Sequence, residues 1–272
     1  MRGVSRLGST LLALALAGVI TLAAHADELM VAAVVVLVQL LVAASPPLVT
    51  ATGDVIGSPR FAPAAIAGVV ATVLTYQPDL LEGAGGNSSD VVGLTDTGMF
   101  AGVLPAVMVA VFVALVAQML RKDGRGQLVS SVGYAVTLAV VAAFAAGWLG
   151  AVQSLGGADV VAVAAAGLGA GLLAWLLPVD RWICLSLSTL AGAAGGAAVA
   201  AVVDSAMTVF FGVLVGAGAA VLAVLGQLVG RIMVGPTAHP AVAWGFPGAM
   251  AVAFVAPIVY LGGQLITVPL LR

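Results

Sequence analysis

The residues of this chain that can do chemistry are few and mostly uncharged. Gln39, Gln118, Gln153, Gln227 and Gln264 stand in or beside long apolar runs. An amide inside a bilayer needs a partner, either on another helix or on a ligand. Each is therefore either a bond between helices or part of a polar lining for a substrate path. Gln39, Gln118, Gln227 and Gln264, together with Asp54, are the candidates for such a path. Gln39 and Gln264 are the best placed, each lying several residues from the end of its run. Asp54 belongs to the most distinctive segment, Ser45-Pro46-Pro47 through Pro59-Arg60, which mixes helix breakers with hydroxyls and one carboxylate. Irregular backbone at membrane depth survives only where protein or a wet cavity satisfies it. The segment is either a short re-entrant element with Asp54 near a cavity, or an interfacial loop with Asp54 solvated or paired to Arg60.

Signs of catalysis are missing. There is no His-Glu-x-x-His, no Gly-x-Ser-x-Gly and no P-loop. The aspartate-rich motifs of prenyltransferases and CDP-alcohol phosphotransferases are absent, as is the signature of phosphatidate cytidylyltransferases. Cys184 is the single cysteine, which leaves no intramolecular disulfide and no cysteine-based zinc site. Gly167-Leu168-Gly169-Ala170-Gly171 lies inside an apolar run with no strand before it, so it is no dinucleotide fingerprint. The expectation is no catalytic residue, no metal and no cofactor.

What must position these side chains is a stack of helices in lipid. Of 272 residues, 62% are hydrophobic and 7% charged, with a mean hydropathy of +1.24. A soluble domain carries about 25% charged residues, so this chain could not cover its surface in water. Net charge is −2 with the basic residues scattered, which excludes a nucleic-acid interface. A spanning helix takes about 20 apolar residues. Nine runs qualify, at 8–24, 29–45, 61–77, 98–120, 128–152, 159–178, 183–203, 206–229 and 245–268. They are too long and too uniformly apolar for barrel strands. The expected fold is all-α, a single polytopic membrane domain covering 1–272.

Charge orients it. With the N-terminus inside, Arg2, Arg6, Arg60, Arg121, Lys122, Arg125, Arg181 and Arg231 all fall inside, and Arg272 alone falls outside. Asp27, Glu28, Asp79, Glu82, Asp90, Asp96, Asp159 and Asp204 fall outside; Asp54, Asp123 and Asp180 fall inside. His25 and His239 then lie on opposite sides and cannot share a metal. Trp148, Trp175, Trp182 and Trp244 are expected as interfacial anchors. No ionisable residue is expected at mid-depth. The first run also ends in a passable A-x-A site, and cleavage after Ala26 would leave eight spans; the uncleaved first span is the preferred alternative.

Spans 1–4 and 5–8 carry a weak echo. Asp27 to Pro46 and Asp159 to Pro178 are equal intervals, and Gln118 and Gln227 each precede an arginine at a span's end. This suggests a 4+4 parallel repeat plus one helix, a build seen in transporters. Thirty-five glycines include pairs four apart, among them Gly167/Gly171, Gly192/Gly196 and Gly212/Gly216. Small residues at this spacing let backbones approach closely. Gly212 and Gly216 are a packing face within the chain or a docking face for a partner.

Eight arginines against one lysine, with heavy Ala, Val and Gly, fit a high-GC bacterial genome. On that composition and the Arg-Lys-Asp-Gly-Arg loop at 121–125, the chain resembles the Ala/Val-rich polytopic membrane proteins of actinobacteria. The resemblance implies a multi-pass protein of the bacterial inner membrane and no catalytic residues. The leading expectation is a non-enzymatic, permease-like or accessory subunit for an apolar or amphipathic envelope substrate, with membrane lipids and a membrane-protein partner around it. The alternatives are a structural subunit of a larger envelope complex and a membrane enzyme near Asp54.

Overall fold

In the computed structural model the described residues are 2–49, 55–56, 60–77, 80, 99–120, 127–154, 156–203, 207–234 and 240–265. Ten helices are described. They are α1 (Arg2–Ala24), α2 (Glu28–Ala43), α3 (Phe61–Tyr76), α4 (Met99–Met119), α5 (Leu128–Phe144), α6 (Gly147–Val152), α7 (Gly157–Ala174), α8 (Arg181–Val202), α9 (Val209–Met233) and α10 (Pro240–Leu265). Between α2 and α3 a minimal antiparallel pair, β1 (Leu48–Val49) with β2 (Val55–Ile56), sets Leu48 opposite Ile56 and Val49 opposite Val55. Strand pairing thus joins the two halves of the Ser45–Arg60 segment, and Arg60 Nε donates to the Ser45 carbonyl at 2.9 Å across its ends. Asp54 itself lies outside the described residues, as do Asp204, His239 and all of the acidic loop 78–97 but Leu80.

Seven helical stretches are long and apolar enough to cross a membrane. The helices at the second and third expected spans, α2 and α3, have 16 residues each. At 1.5 Å per residue that is about 24 Å, short of a hydrocarbon core of about 30 Å. The count of nine spans is therefore finer than helix length supports. The run 128–152 is also not one regular helix. At Ala145–Ala146 the bonding tightens: the amides of Ala145, Ala146, Trp148 and Leu149 all reach back three residues. Such a stretch is a 3₁₀ turn, which redirects the chain. Gly147 through Ala151 are buried as a result.

The core is organised around α10, which packs on α1, α2, α5, α6, α7 and α9. On one side α7, α8 and α9 form a mutually packed trio; on the other, α3, α4 and α5 form a second. α4 and α8 are peripheral, with Met108, Phe112 and Leu190 largely exposed. Pro105 sits within α4, and Pro247 and Pro257 within α10, without ending either helix. Membrane helices tolerate this when neighbours satisfy the freed backbone groups.

Two tryptophans depart from the anchor role. Trp148 is fully buried and donates its indole N–H to the Val252 carbonyl at 2.9 Å, and Trp175 is buried too. Trp182 and Trp244 remain exposed, at 76% and 42%. The 3₁₀ turn before α6 is what swings Trp148 inward.

The glycine pairs are consumed inside the chain. A Cβ on Gly167 would strike the backbone of Gly216. One on Gly212 would lie 2.6 Å from the Ala200 Cβ, and one on Gly216 would strike the Gly192 carbonyl. The face of Gly212 and Gly216 is therefore filled by α7 and α8 and offers no surface to a partner. Polar side chains stitch the same trio. Ser188 donates to the Gly171 carbonyl at 2.8 Å, and the Cys184 thiol lies 3.5 Å from the Trp175 carbonyl. The Gly171 carbonyl also accepts from the Trp175 amide at 2.9 Å, so Ser188 takes its second lone pair, whereas the Trp175 carbonyl lies just past the end of α7.

Candidate functional site

Three of the candidate glutamines are spent on bonds between helices. The Thr72 hydroxyl lies 2.8 Å from Gln39 Nε2 and 3.0 Å from Oε1, joining α2 to α3. Gly68 makes the room: a Cβ there would lie 2.8 Å from the Gln39 Cβ. Gln118 donates to Ser131 at 2.6 Å, joining α4 to α5. Gln227 joins α9 to α1. Gln118 and Gln227 thus take partners on different relative elements, one on the next helix and one on the first. Gln153 donates to Glu28 at 3.4 Å at an exposed helix end. Gln264 is half-buried in the last turn of α10 and is itself engaged.

If the Gln39–Thr72 pair is an interhelical bond, Gln39→Leu and Thr72→Val should couple in a double-mutant cycle. The expected coupling is about 0.6–1.7 kcal/mol, the range for such bonds in membranes. Unfolding from detergent micelles would measure it, and strictly additive losses would reject the bond.

Among the described residues, polar side chains converge most at the end of the bundle where α1, α9 and α10 meet; a smaller group forms where Arg60 Nε donates to the Ser45 carbonyl at 2.9 Å and the Tyr134 hydroxyl to the Pro46 carbonyl at 2.8 Å. At the larger site glycines bring the helices together. A Cβ on Gly248 would lie 2.8 Å from the Ser9 carbonyl, one on Gly230 2.7 Å from the Pro247 Cα, and one on Gly8 3.3 Å from the Trp244 Cβ. Ser9, Thr10 and Gln227 are fully buried in the seam. Gln227 Nε2 donates to the Ser9 and Thr10 hydroxyls, each at 3.1 Å. Its Oε1 accepts from Arg231 Nη2 at 2.8 Å. The amide is thereby satisfied on both atoms and its orientation is set. Arg231 Nη2 also donates to Ser9 Oγ at 3.1 Å, and Ser9 Oγ donates to the Arg6 carbonyl at 3.0 Å.

Arg231 is half-buried within α9 rather than beyond its end, because the helix runs on to Met233. It stands in the last turn of the helix, not at mid-depth. Among the described residues its buried Nε has no partner. Arg6, on α1, is exposed and close enough for its charge to act on Arg231. The sequences of α1, α9 and α10 contain no Asp or Glu at all. Asp180, expected on the same side of the membrane, caps α8 by accepting from the Trp182 amide at 3.0 Å. Ser9, Thr10 and Arg231 were not singled out from sequence. The Gln227/Arg231 spacing of four, which puts both on one helix face, is the signal that marks them.

No cluster of three or more His, Cys, Asp or Glu that could hold a metal occurs among the described residues. By helix length and composition the chain falls in the class of multi-pass integral membrane proteins. No protein family, curated protein or solved structure matches it.

Proposed function

We propose that this is a non-enzymatic subunit of the bacterial inner membrane, permease-like or accessory to a transporter, handling an amphipathic substrate of the cell envelope. The observation that supports this is Arg231. Arg231 stands in the last turn of α9, the depth at which an arginine meets lipid headgroups. Here it is held in a fixed pose by Ser9 and Gln227, at one end of an otherwise apolar bundle. The proposed topology places this end inside, with nine membrane passages. The two 16-residue helices would cross where the bilayer thins or flanking residues reach the interface.

The discriminating experiment is purification in mild detergent at native expression level, with mass spectrometry of what co-elutes. One enriched amphipathic lipid is the expected result. A stoichiometric protein partner with no enriched lipid would instead make the chain a structural subunit of an envelope complex. Sidedness is tested separately. In a Cys184→Ala background, cysteines placed at Leu7 and at Ala26 should label from opposite faces of the membrane. Labelling of both from the periplasmic face would reject the N-inside topology.

A further inference from the structure

We propose that Arg6 and Arg231 together bind the phosphate of an anionic membrane lipid, a deepening that rests on the amphipathic-substrate reading above. Ser9 Oγ accepts from Arg231 Nη2 at 3.1 Å and donates to the backbone carbonyl of Arg6 at 3.0 Å, which ties Arg231 to the turn of α1 that carries Arg6. The Arg6 charge is close enough to act on Arg231. The three helices that build the site, α1, α9 and α10, carry no carboxylate to neutralise either cation. A half-buried guanidinium with no counter-charge is costly. Its remedy must come from outside this seam, and in a bilayer the abundant anion at this depth is the lipid phosphate.

The guanidinium is prepared for it. Nη2 is pinned by Ser9 and Gln227, which fixes the plane of the guanidinium. A planar cation held in a fixed orientation suits a phosphate oxygen. Beside the two arginines the surface is apolar. Leu7 and Leu11 flank Arg6 and are 53% and 55% exposed, and Ile232 beside Arg231 is 82% exposed. This is the surface an acyl chain would lie on. A phosphate-headed lipid matches both halves; a free phosphate matches only the first.

The test uses the full chain in nanodiscs or detergent with defined probes. Phosphatidic acid, phosphatidylglycerol and phosphatidylcholine are offered in competition and retained lipid is read by native mass spectrometry; inorganic phosphate is titrated separately. Preferential retention of the anionic lipids is expected, weakened at least about tenfold by Arg231→Gln and by Arg6→Gln, as expected for loss of a charge-assisted contact. Arg231→Lys keeps the charge without the fork and should fall between. Arg181→Gln, an exposed arginine outside the seam, should leave retention unchanged. Because Arg231→Gln also removes bonds to Ser9 and Gln227, Arg6→Gln, whose side chain makes neither bond, decides the question if the Arg231 variant fails to fold. Equal retention of phosphatidylcholine, or retention indifferent to Arg6→Gln, overturns the proposal. Arginine-dependent binding of inorganic phosphate with no retained lipid overturns the lipid assignment and the amphipathic-substrate reading with it, while leaving an anion site. Anionic-lipid retention that depends on the arginines, in a chain that also co-purifies with a stoichiometric partner, supports the site and shifts only its role.

Discussion

Gly216→Val is expected to be the most damaging single substitution in the molecule. At this crossing α7, α8 and α9 touch backbone to backbone. A Cβ on Gly216 would strike the Gly192 carbonyl and lie 2.9 Å from the Gly196 Cα. Neither is the movable end of a side chain, so the helices must separate. In lipid there is no hydrophobic drive to hold them while they do, since association rests on close packing. Overpacking costs about 1–3 kcal/mol when side chains can shift, and more when backbones must. Gly216→Ala should therefore lose about 3 kcal/mol and Gly216→Val should not give a monodisperse protein. Gly18→Ala and Gly133→Ala are the controls. Nothing lies within 4 Å of a Cβ at either position, and alanine improves helix propensity by up to about 1 kcal/mol. Thermal unfolding in detergent separates the cases. Equal stability of Gly216→Ala and Gly18→Ala would mean that the three helices do not cross at these residues.

Trp148→Ala should follow, with a loss of about 3–5 kcal/mol, the usual range for emptying a buried aromatic site. The residue is fully buried and fills the space between α6 and α10. Trp148→Phe divides the effect. It keeps much of the packing and removes the bond to the Val252 carbonyl, so about 1–3 kcal/mol should be lost from the unmet polar group. Trp182→Ala, at a tryptophan that is 76% exposed, should leave unfolding nearly unchanged. Denaturant unfolding followed by circular dichroism avoids the altered fluorescence of the variants. A Trp148→Ala protein as stable as Trp182→Ala would return Trp148 to the interface, where charge and hydropathy alone put it.

How far the site was legible differs from residue to residue. Gln227 was visible because an amide in an apolar run has few ordinary reasons to be there. Its neighbour Arg231 was visible too, but as a topology marker, since a basic residue at the end of a run is what the positive-inside pattern predicts. Only the extension of α9 to Met233 draws that charge into the bundle. Ser9 and Thr10 carried no signal, because a hydroxyl in a membrane helix is ordinarily satisfied by its own preceding turn, as Thr21 is by the Ala17 carbonyl at 2.9 Å. Gln39 looked like lining and is instead bound to Thr72, a partner 33 positions away.

The amino-acid sequence by itself determined that this chain belongs in lipid and where its helices run. Backbone groups in a bilayer have no water to bond, so a long apolar run has to be a helix, and counting residues locates it. The tertiary structure alone decided which faces of those helices meet. A helix that is apolar all round has no stripe to show which side turns inward. In an Ala, Val and Gly alphabet many pairings look alike in composition. They differ only in whether two backbones can close without a clash, and that is a property of the assembled helices. The Gly192–Gly216 crossing, the inward turn of Trp148 and the contact of Arg231 with Ser9 across 222 positions are of this kind.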